Sequence, residues 1–67
     1  IGDRLMQAVA HEQLGEMELE ELDLEKAEKS FQTARQLYSL EGKRAEVKRI
    51  GEKLEIIESF KRLKHAF

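Results

Sequence analysis

The sequence predicts an all-α fold, an antiparallel helical hairpin followed by a long third helix. Three observations carry this. Apolar residues recur at spacings of three and four in three successive segments. No segment alternates at period two for long, and β-branched residues are few, which excludes a sheet. Proline is absent from the 67 residues, and the breaks between segments coincide with an aspartate and a glycine that suit helix ends.

The first helix is expected over 3–22. Met6, Ala10, Leu14 and Met17 form its apolar stripe, with Leu5 and Val9 beside it. Asp23 then interrupts the pattern. An aspartate carboxylate accepts the free N–H groups of a following helical turn, so a second helix is expected over 24–40. Its stripe is Leu24, Ala27, Phe31, Ala34 and Tyr38. A link this short makes the two helices antiparallel. Gly42 stands where a left-handed C-terminal cap is wanted. The third helix is expected over 43–66, with Val47, Ile50, Leu54 and Ile57 in register. Phe60, Leu63 and Phe67 continue the pattern on a different line. Either one long helix touches two surfaces, or Ser59 caps a new helix.

Composition narrows the function. No apolar run approaches the roughly 18 residues that a membrane span needs. The chain has no cysteine, so disulfides and thiolate-bound metals are excluded. Its 40% hydrophobic content is too high for a solvated disordered tail. A chain this short supports only a small core, so neighbouring repeats, a partner or self-association are expected to supplement it. Two or three helices also offer poor walls for a catalytic cleft, so no enzyme activity is expected. His11-Glu12 opens like a zinc-protease motif, but Gly15 stands where the second histidine is needed. No metal or cofactor site is expected.

The charge is unevenly placed. Residues 1–25 carry eight acids and one base, whereas residues 26–67 carry eleven bases and six acids. Glu12, Glu16 and Glu20 lie on one helical face. Like charges at that spacing cost about 0.2–0.5 kcal/mol per pair, so something should offset them. Two explanations stand side by side: pairing with Lys48 and Arg49 on the third helix, or a groove for a basic peptide. The basic tail from Phe60 to Phe67 suits a capping or dimer helix better than a membrane or nucleic-acid contact.

Residues 10–38 resemble a tetratricopeptide repeat, a helix–turn–helix unit of about 34 residues. Leu14-Gly15, Asp23, Ala27, Phe31 and Ala34 match its pattern. Gly15, Ala27 and Ala34 are small where two helices approach, Phe31 fills the space between them, and Leu14 is expected in the seam. His11 and Glu18 replace the family's aromatic residues, Leu22 its turn glycine and Ser39 its closing proline. A shift of 36 places Leu14-Gly15 on Ile50-Gly51, a partial second copy. The stretch Ala27, Phe31, Ala34 also resembles a microtubule-interacting and trafficking domain, which has three helices of this size.

The resemblance implies a cytoplasmic protein-interaction module that holds a peptide or neighbouring subunit, and the isoleucine at position 1 leads us to expect a piece of a longer protein. Its concave surface would include Glu12, Gln13, Glu16 and Glu20, with Lys48, Arg49 and Glu52 from the next unit. A partner there should be basic. Ile56, Phe60, Leu63 and Phe67 offer a second apolar stripe, through which the chain is expected to form a homo-oligomer. Neither nucleic acid nor membrane is an expected partner.

Overall fold

In the computed structural model, which describes the backbone of residues 3–66, three helices follow one another: α1 (Arg4–Glu20), α2 (Leu24–Leu40) and α3 (Arg44–Ala66). There is no strand among the described residues. The helix α2 is central. It packs against α1 on one side and α3 on the other, giving a layer 45 × 20 × 12 Å in extent.

Helix starts and stops follow from local chemistry. The Asp3 carboxylate accepts from Leu5 N–H at 2.9 Å and Met6 N–H at 3.4 Å, capping α1. Asp23 caps α2 in the expected way, accepting from Lys26 N–H at 3.4 Å. The two helix ends are built alike. At the end of α1, Leu22 N–H donates to Leu19 C=O and Asp23 N–H to Glu18 C=O, both at 2.9 Å. At the end of α2, Gly42 N–H donates to Ser39 C=O at 3.0 Å and Lys43 N–H to Tyr38 C=O at 2.9 Å. This pair of bonds needs one left-handed residue. Gly42 supplies it at φ 70°, as expected, while Leu22 is forced to φ 61°.

The core consists of Ala8, Ala27, Phe31, Ala34, Tyr38, Ile50, Leu54 and Ile57, with Leu5, Leu19, Leu24, Leu37 and Val47 packed around it. Gly15 is the close-approach point expected of it. A β-carbon there would lie 3.0–3.1 Å from the Phe31 ring. Gly51 differs, with nothing within 4 Å of the same added atom. The repeated glycine therefore marks a tight crossing once, not twice.

One expectation needs correction, and one open alternative is decided. The face of α1 that meets α2 is Leu5, Ala8, Gly15 and Leu19, not the line of Met6, Ala10, Leu14 and Met17. That line points outward, with Met6 71%, Leu14 42% and Met17 57% exposed. Leu14 is thus absent from the seam, because the small residues Ala8 and Gly15 bring the helices closer than Leu14 would allow. The third segment is a single helix. Ser59 does not cap a new one; its hydroxyl donates back to Glu55 C=O at 3.1 Å, a bond within the helix.

Candidate functional site

The acidic face of α1 meets α3 through side chains. Glu12 pairs with Arg49 and Glu16 with Lys53 between the two helices, and Arg4 at the start of α1 pairs with Glu41 at the C-cap of α2, just ahead of α3. Each joins residues 37 apart in sequence. A constant separation means that α1 and α3 run parallel in a fixed register, as two antiparallel turns require.

Glu12 is the junction of all three helices. Arg49 donates to both of its carboxylate oxygens at 2.8 Å, and the Tyr38 hydroxyl from α2 donates at 3.0 Å. The Glu12 side chain is only 12% exposed. Burial raises the Tyr38 hydroxyl pKa, and its hydrogen bond to Glu12 and that group's charge raise it further. Lys53 bonds to Glu16, stands 3.8 Å from Glu12, and lies 5.6 Å above the Phe31 ring. On the other flank Ser30 donates to Glu18 at 2.6 Å, so this acid is also held. Lys61 donates to Glu28 at 3.1 Å, which raises the lysine pKa.

The expected groove residues are divided among several places. Glu12, Glu16 and Arg49 share the α1–α3 seam. Glu20 lies at the end of that seam, beside an open notch formed by Leu19, Lys53 and Ile56. Gln13 is exposed on the outer side of α1. Lys48 and Glu52 line the opposite side of α3 with Gly51 and Glu55. Lys48 forms no ion pair among the described residues, so pairing of the acids involves Arg49 and Lys53 instead. The cause is register. A shift of 37 rather than 36 turns the paired position on α3 by about 100°, one residue of an α-helix. That rotation brings Lys53 in and takes Lys48 and Glu52 out. The signal was present in the sequence: Arg49 and Lys53 are spaced four apart, like Glu12 and Glu16.

Of the second apolar stripe, Ile56, Phe60 and Leu63 are 51%, 46% and 55% exposed. Phe67 lies outside the described residues. By the same register, Glu20 at the end of α1 stands beside Ile57. Phe60 and Leu63 therefore extend past α1, which leaves them uncovered.

No family model, curated protein or solved structure matches the chain.

Chemically, the seam is a set of matched charges, with Glu12 saturated by donors. No group of acids or histidines that could hold a metal is present among the described residues, and no described helix is long and apolar enough to cross a membrane.

Proposed function

We propose that the chain is a protein-interaction module of the tetratricopeptide kind, whose outer helix α1 receives a helix of a neighbouring unit or subunit. One observation carries the reading. The register of 37 relates Ala10, Gln13 and Met17 on the outer face of α1 to Val47, Ile50 and Leu54 on α3, and Met6 to Lys43 just ahead of it. Ile50 and Leu54 are buried and Val47 packs against them, all on the face that α3 turns to α2. The outer face of α1 thus occupies the positions that α3 uses to pack on the preceding helix. Met6, Val9, Leu14 and Met17 remain exposed there. A helix apolar on two opposite faces is suited to being sandwiched.

The opposite edge of the layer is different. Around Gly51, α3 presents Lys48, Glu52, Glu55 and Glu58, a charged surface suited to closing a stack. An acidic groove for a basic peptide is the weaker version of the module, since Glu12 and Glu16 are already neutralised by Arg49 and Lys53.

Fusion of a designed consensus helical hairpin ahead of α1 tests the reading. Stacking on Met6, Val9 and Met17 should raise the melting temperature of the α1–α3 unit. Met6→Glu with Met17→Glu should abolish that gain and leave the unfused chain unchanged. A fusion whose two parts melt independently would remove the proposal.

A further inference from the structure

We propose that a second copy of this chain docks on the α3 stripe, antiparallel, with Phe60 at the two-fold axis. This rests on a different surface from the stacking face of α1 and stands without it. The surface is the line Ile56, Phe60 and Leu63, half exposed and uncovered past the end of α1. The notch between Leu19 and Ile56 interrupts the apolar line on the α1 side.

Charge selects the occupant and its direction. Glu20 borders the notch, and Lys64 is exposed near the end of α3, where it lines an open cleft with Glu21, Asp23 and Glu25 of the α1–α2 turn. Neither Glu20 nor Lys64 enters an ion pair among the described residues. A two-fold axis at Phe60 sets Ile56 of one copy level with Leu63 and Lys64 of the other. Such an axis also brings like flanks together, so the side of α3 that faces α1 meets the same side of its mate. Leu63 of the second copy then enters the notch between Leu19 and Ile56, and its Lys64 reaches Glu20. The contact is made twice by symmetry. Parallel pairing would instead set Lys64 against Lys64 and leave both Glu20 carboxylates alone. The surface is therefore complementary to itself in one direction only, as an isologous interface requires.

Sedimentation equilibrium from micromolar to hundred-micromolar concentration tests this on the full chain. The wild type should dimerise, and Phe60→Glu should be monomeric with unchanged helicity. Glu20→Lys and Lys64→Glu should each weaken dimerisation about tenfold, since each turns two attractions into repulsions. An equimolar mixture of those two variants should recover the wild-type affinity as a heterodimer. Recovery by mixing cannot come from a contact within one chain. A wild type that stays monomeric throughout overturns the proposal. So does a dimer indifferent to Phe60→Glu, or single charge variants that bind as tightly as wild type. Binding of a monomeric wild type to phosphatidylserine vesicles, lost on Phe60→Glu, would assign the stripe to a membrane surface instead.

Discussion

Gly15 and Leu22 show how single residues set local geometry. A β-carbon at Gly15 would meet the Phe31 ring at 3.0–3.1 Å, and Phe31 is fully buried, so the ring has little room to yield. Gly15→Leu should cost about 1–3 kcal/mol by overpacking, read as a lower urea midpoint than that of Glu16→Gln. Gly51→Ala offers the contrast. The space there is open, and alanine favours a helix over glycine by about 1 kcal/mol, so this variant should be more stable. Leu22 makes the opposite error to a misplaced glycine. Its side chain is 76% exposed and its backbone is left-handed at φ 61°. Leu22→Gly should raise stability by roughly 0.5–1 kcal/mol, because relief of a left-handed leucine outweighs the entropy glycine adds to the unfolded chain. An unchanged or lowered melting temperature would show that Leu22 holds a contact worth more than its strain.

At the scale of elements, α1 and α3 are joined mainly by charged side chains, while each packs on α2 through apolar ones. Glu12 should therefore matter more than its neighbours. Glu12→Ala leaves the Arg49 guanidinium and the Tyr38 hydroxyl without their shared acceptor and should cost about 1–3 kcal/mol. Glu16→Gln, at a half-exposed pair with Lys53, should cost less than about 1 kcal/mol. A double-mutant cycle on Glu12 and Arg49 would measure the coupling directly. Tyr38 adds a pH dependence. The fold favours its protonated hydroxyl, so its contribution is complete below the ordinary tyrosine value of 10.0 and is lost as pH climbs through the higher folded value. Thermal stability should fall in that alkaline window, and Tyr38→Phe should flatten the fall. A Tyr38→Phe profile that declines as steeply as wild type would place the effect elsewhere.

For the whole molecule, the layered arrangement makes α2 the one helix with partners on both sides. Amide exchange should be slowest in α2, near Phe31 and Ala34. It should be fast in α3 beyond Ile57, where α1 no longer runs alongside. If the last turns of α3 exchange as slowly as α2 at high protein concentration and quickly on dilution, the protection arises from a second copy.

Helix number, order and antiparallel hairpin were legible in the sequence, because apolar spacing, Asp23 and Gly42 act within a few residues of themselves. So was the Gly15–Phe31 crossing, since only a small residue admits a ring at that distance. The inward face of α1 was not. Its large apolar residues lie on one line and its small ones on another, and hydrophobicity alone favours the large. Tertiary packing chose Ala8 and Gly15, because close approach to α2 buries Phe31 completely. Of the partners of the acids, Arg49 was legible in the sequence, whereas the choice of Lys53 over Lys48 depended on the register of α3 against α1. A turn one residue longer rotates α3 by about 100° relative to α1, exchanging Lys48 for Lys53. Local chemistry determined where each helix begins and ends. Contact between helices determined which way each one faces, and so which of its residues remain free to meet a partner.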